Sequence, residues 1–233
     1  MSIINFEFAV SCSGFLVDAQ FALRSEKCCV ELRFEKALRT HKVKLDAFRK
    51  IFIEFSAQHE DLKIVSAGFK VMWVSYPFNC AKYFELDLEQ RVQMLGDLCE
   101  EVLVKLFHTQ ETPLDQLNLA LADVHRQGFA YEENIGKAAP SPDRRYRAIL
   151  KFLVTGDRCE VFATLSDTKK RTIVQELLIT RQPSFCFRLT SDNVSLEWTS
   201  NAAVRVTLNL PLSEVFVQEI DVPIVSEKTS LSG

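Results

Sequence analysis

The chain switches between two hydrophobic periods, and each switch marks a predicted element. "NFEFAV" (residues 5–10) alternates apolar and polar positions, and "CCVELRF" (28–34) is rich in Cys, Val and Phe, so both are predicted strands. "GFLVDAQFAL" (14–23) reads as a further strand between them. In "KLDAFRKIFIEFSAQ", Leu45, Phe48, Phe52 and Phe55 recur at three and four, the spacing of an amphipathic helix face. "FKVMWVSYPF" returns to strand character and ends at Pro77, which has no N–H to give to a ladder.

From Asp87 to about His108, Leu88, Val92, Leu95, Cys99, Val102, Leu103 and Leu106 form one apolar stripe. Asp87 and Glu89 lie early in this segment and Lys105 and His108 lie late, the order a helix dipole favours. A second helix is predicted with Thr112 as N-cap, Pro113 at the first helical position and an end near Gly128. The short connection implies an antiparallel pair. "YEENIGKAAPSP" (131–142), with two prolines and a glycine, reads as a linker or long loop. Beyond it come seven short β-rich runs: "RYRAILKFLV", "CEVFATLS", "TIVQELLIT", "SFCFRLT", "VSLEWTS", "AAVRVTLNL" and "EVFVQEI". "TGDR" (155–158) is the hairpin turn between the first two.

The predicted class is α+β. A largely antiparallel C-terminal sheet packs on the helix pair, and an N-terminal α/β segment precedes it. The expected divisions are an α/β region over 1–130, a linker at 131–142 and a β region over 143–220, with a single domain as the alternative.

Composition narrows the function. The 233 residues are 47% apolar and 25% charged, the balance of a folded globular protein. The net charge of −3 argues against a general nucleic-acid binder, whose affinity comes from neutralising phosphates. Charge is uneven: between Arg33 and Lys50 seven basic residues face only Glu35 and Asp46, and between Glu85 and Glu101 six acids face only Arg91. "MSIINFEFAV" does not read as a signal peptide, and no apolar run approaches the roughly 18 residues of a membrane span. These features predict a cytoplasmic protein with no membrane partner. Seven cysteines, an odd number with no C-x-x-C, are expected to be free structural thiols.

The seven glycines never cluster, which excludes a P-loop or a Rossmann fingerprint. Of the four histidines, none has H-E-x-x-H spacing, although His108 and His125 could meet across an antiparallel pair. "SCSG" (11–14) offers nucleophiles without a base placed by spacing. No catalytic residue, metal or cofactor is predicted.

Two stretches are candidate partner-binding surfaces. "WVSYPFNCAKYF" carries Trp73, Tyr76, Phe78 and Tyr83, residue types that dominate interface hot spots. In "SPDRRYRAILKFLV", period two puts Tyr146, Ala148, Leu150, Phe152 and Val154 on one face and Arg145, Arg147, Ile149, Lys151 and Leu153 on the other. Arg145 and Arg147 then start a wet face, open to an acidic partner. Two arginines and a lysine fall short of a nucleic-acid site.

The element order over Lys82–Leu208, from "KYFELD" through "LEQRVQMLGDLCEEVLVKLF" to "SPDRRYRAILKFLVTGDRCEVFATLSD" and a strand meander, resembles small bacterial immunity proteins paired with polymorphic or contact-delivered toxins. The resemblance implies a cytosolic, non-enzymatic α+β protein that blocks a cognate toxin by occlusion. It carries no diagnostic motif and assigns no functional residue. The alternatives are a structural or adaptor protein of a secretion or phage system and, third, a hydrolase-type enzyme.

Overall fold

The computed structural model describes residues 5–11, 17–45, 48–58, 60–68, 70–182, 193–209 and 216–222. The protein is α+β, with sheets and helices divided between two compact units. The first runs to Tyr131 and includes Val154–Cys159; the second holds Glu132–Leu153, Glu160–Gln182 and the strands beyond.

The first unit contains β1 (Asn5–Ser11), α1 (Val17–Thr40), β2 (Lys50–Ser56), β3 (Lys63–Gly68), β4 (Val71–Pro77), α2 (Cys80–Glu85), α3 (Leu88–Thr109) and α4 (Asp115–Gln127). Its sheet has the order β1-β2-β4-β3, with β1, β2 and β4 parallel and β3 antiparallel at one edge. A parallel pair needs a long crossover, and α1 supplies it between β1 and β2. Two expectations are overturned here. "CCVELRF" lies inside α1: Glu26, Cys29, Val30, Arg33, Phe34, Ala37 and Leu38 are buried at helical spacing, so packing overrides the β propensity of Cys, Val and Phe. The predicted strand over 14–23 also gives way to this helix from Val17, its first three residues lying outside the described residues. Conversely, the predicted helix around Phe52 contains the strand β2. Ile51, Ile53 and Phe55 are fully buried and alternate with half-buried Phe52 and Glu54.

α3 forms as predicted. Asp87 is its N-cap and makes a capping box with Gln90, and Leu95, Cys99, Val102, Leu103 and Leu106 are buried. α4 begins later than predicted, at Asp115, and Thr112 does not cap it; its hydroxyl donates instead to the Gln110 carbonyl at 3.3 Å. Gly128 ends α4 with φ of 65°, a conformation open to glycine at little cost. The helices are antiparallel: His125 near the end of α4 lies 2.7 Å from Glu100 in α3, and Phe129 packs against Gly96.

The second unit has a four-stranded sheet, β5 (Tyr131–Pro140), β6 (Tyr146–Val154), β7 (Cys159–Asp167) and β8 (Thr172–Gln182), in sequence order. The connections are too short for parallel crossovers, so it is an antiparallel meander. A three-stranded antiparallel sheet comprises β9 (Val194–Ser200), β10 (Ala203–Leu208) and β11 (Phe216–Asp221), ordered β11-β10-β9. The expected linker at 131–142 is mostly β5. An edge strand tolerates Pro140 at its end, and only Tyr131 and Ile135 of β5 are buried. β6 buries Tyr146, Ala148, Leu150, Phe152 and Val154, the face period two assigned. "SFCFRLT" lies outside the described residues.

Candidate partner-binding surfaces

The inward face of the first unit's sheet is a core of Phe6, Phe8, Ile51, Ile53, Phe55, Met72, Val74 and Tyr76. Its opposite face follows from the same alternation. β1 presents Glu7 and Ala9, β2 presents Lys50, Phe52 and Glu54, and β4 presents Val71 and Trp73. Phe52 and Trp73 are register partners, and their rings meet edge to face at 5.3 Å. Trp73 remains 41% exposed. On β3 the register shifts between Ile64 and Ser66, so Val65 is an unpaired extra residue and stands 49% exposed. Glu7 and Lys50 close one side of the strip with a 2.5 Å ion pair, which holds the Glu7 carboxyl below its ordinary range against the opposing effect of burial.

The other sequence-predicted aromatics belong to the interior. Tyr76, Phe78 and Tyr83 are 4%, 3% and 0% exposed and form a packed chain with Phe55. Phe78 packs on Tyr83 of α2 at 5.3 Å, the Tyr83 hydroxyl reaches Glu26 of α1, and the Tyr76 hydroxyl accepts from Lys105 of α3 at 2.7 Å, so all three are enclosed by contacts with helices. Trp73 is the member of the quartet that faces solvent. Phe52 and Val65 were missed, since a helix reading put Phe52 in a core stripe and a bulge leaves no mark in residue spacing.

Beneath the sheet lies a buried charged group that the sequence reading also missed. Glu26, 1% exposed, accepts a hydrogen bond from the Tyr83 hydroxyl and pairs with Arg91 at 2.9 Å. Burial outweighs Arg91 and pushes the Glu26 carboxyl up to about 7. On the same helix Arg33 donates to the Gln127 side chain at 2.5 Å and to the Ala130 carbonyl, tying α1 to the end of α4. These contacts join elements, and of the Arg33 guanidinium the Nε is buried without a hydrogen-bond partner.

Burial pushes the thiols of Cys29 and Cys159 up to about 12 and 11 and that of Cys99 well above the ordinary range, which keeps them protonated and weakly nucleophilic. Cys28 and Cys80 are disulfide-bonded, so the expectation of seven free thiols fails. Adjacent positions on a helix lie about 100° apart, so Cys28 and Cys29 reach different surroundings. Among the described residues, no three His, Cys, Asp or Glu side chains are grouped to hold a metal ion. His125 faces Glu100, not His108.

In the second unit, Arg145 and Arg147 are exposed, with Arg145 lying 5.1 Å over the Tyr146 ring. Arg144 precedes them at φ of 60°. No described helix is long and apolar enough to cross a membrane. Comparison with family models, curated proteins and solved structures found no match.

Proposed function

We propose that this protein acts by binding another protein, and that the partner is a bacterial toxin whose working face it covers. The observation that carries the binding role is the Phe52–Trp73 ring pair on the sheet face opposite the core, with the exposed Val65 on the adjoining edge strand. A half-exposed tryptophan braced by a second ring and rimmed by charges has the composition of an interface hot spot. The toxin reading adds the resemblance in element order between Lys82 and Leu208. Cytoplasmic residence belongs to the same proposal and rests on composition.

The test is co-expression with the product of a toxin gene encoded beside this one. Wild-type protein should restore growth and co-purify with the toxin. Trp73→Asp with Val65→Asp should stay folded, because both side chains are exposed, and should weaken the complex by about 30-fold or more, the loss of one hot spot. Unchanged affinity in the double variant would remove the sheet face, and absence of protection by the wild type would remove the toxin.

A further inference from the structure

The fold brings a second basic run to the one seen in the sequence. Lys169, Lys170 and Arg171 occupy the turn between β7 and β8, and Arg144, Arg145 and Arg147 lead into β6. Antiparallel pairing of β6 and β7 places the two runs at one end of the sheet. The Thr168 N–H donates to the Arg145 carbonyl at 2.8 Å, and the Ser166 hydroxyl donates to the Arg147 carbonyl at 3.5 Å. All six cationic residues are exposed, and among the described residues none forms a salt bridge.

The carboxylates within these two runs are Asp143 and Asp167, and both are committed locally. Asp143 accepts from the Ser141 hydroxyl at 2.6 Å and the Arg145 N–H at 3.0 Å. Asp167 accepts from the N–H groups of Lys169 and Lys170 at 2.9 Å each. A net excess of positive charge therefore concentrates at one sheet end of a chain whose total is −3. Arg144 and Arg171 sit at φ of 60° and 54°, where glycine or asparagine is the unstrained choice. Lys42, Lys70 and Glu111 are strained likewise, but among the described residues it is these two arginines that stand beside four more cations.

We infer that this end of the second unit's sheet, formed by Arg144, Arg145, Arg147, Lys169, Lys170 and Arg171, docks an acidic protein surface. Nucleic acid fits less well. Tyr146, the one aromatic residue of these two runs, is buried under Arg145 and offers no face to a base, and phosphates running past the patch would meet a net-negative molecule. The inference stands on the second unit alone and goes beyond the toxin reading.

The experiment uses the full chain, a labelled oligoglutamate of about 20 residues and a DNA duplex of about 20 base pairs as probes, each at roughly 50 and 200 mM salt. Wild type should bind oligoglutamate, more weakly at the higher salt, and more tightly than it binds the duplex. Arg144→Gly with Arg171→Gly removes two charges where glycine suits the backbone, so melting temperature should hold or rise while binding weakens about tenfold. Arg145→Glu with Arg147→Glu should weaken it further, whereas Lys63→Gln with Lys82→Gln, outside the patch, should not change it. Equal loss in that control pair, full binding by the glycine variant, or tighter binding of the duplex would each overturn the inference.

Discussion

Glu26 is the residue whose environment makes the sharpest demand. Its carboxyl is almost fully buried, and burial raises it to about 7 against the pull of Arg91. Glu31, which accepts from the Phe8 N–H at 2.5 Å, is likewise raised to about 7, again by burial. A carboxyl raised in the folded state binds its proton more tightly there than in the unfolded chain, where it titrates near 4.5. Its favourable contribution is complete below about pH 4.5 and is lost as pH rises through about 7. Denaturant melts across that window should therefore show stability from this pair falling with pH, and Glu26→Gln should flatten the slope. Glu26→Ala should cost about 3–5 kcal/mol near neutral pH, because it leaves Arg91 and the Tyr83 hydroxyl without their partner. A slope unchanged in Glu26→Gln would assign the titration to other groups.

At the scale of elements, the contact between α3 and the segment after α4 depends on Gly96. A Cβ placed there would stand 1.9 Å from the tip of the Phe129 ring. Alanine favours a helix by about 1 kcal/mol over glycine, and overpacking costs about 1–3 kcal/mol. Phe129 stacks on Phe34 at 6.4 Å but also lines an open cavity, so the ring can swing away at the expense of that stack. The clash wins modestly, and Gly96→Ala should destabilise by about 1 kcal/mol in chemical denaturation. A stabilised variant would show the ring to be loosely held. The helices themselves were legible because α3 carries an unbroken stripe and α4 ends on glycine. β2 was not, because Phe48, Phe52 and Phe55 fit helical spacing while Ile51, Ile53 and Phe55 fit period two. A strand inside a parallel sheet has apolar residues on both faces, which blurs the distinction. α1 was misread for the reverse reason, since Cys28, Cys29, Val30 and Phe34 favour strands when judged one residue at a time.

At the scale of the whole molecule, the cysteines carry the prediction. With Cys28 and Cys80 disulfide-bonded and Cys29, Cys99 and Cys159 free and buried, thiol titration of denatured protein prepared without reductant should find at most about five thiols per chain. Adding reductant before denaturation should restore about seven. Seven thiols in both preparations would refute the bonded state. This measurement bears directly on the proposed cytoplasmic residence, because disulfides persist mainly where the surroundings are oxidising.

Hydrophobic spacing alone specifies the α+β class, the α3 stripe, the inward face of β6 and the exposure of Arg145 and Arg147. Each is a local pattern, read from the spacing of apolar side chains that have to share one side of an element. Contacts between elements account for the rest. Whether Tyr76, Phe78 and Tyr83 are surface or core depends on their contacts with Phe55, Glu26 and Lys105, which lie on other elements and which no spacing encodes. Trp73, Phe52 and Val65 become neighbours only through the β2–β4–β3 order and a bulge. The basic sheet end exists because hairpin pairing joins two runs that lie two strands, β6 and β7, apart in the chain. A side chain's period fixes which way it faces, but its neighbours across the fold depend on long-range pairing whose free energy is shared among many residues.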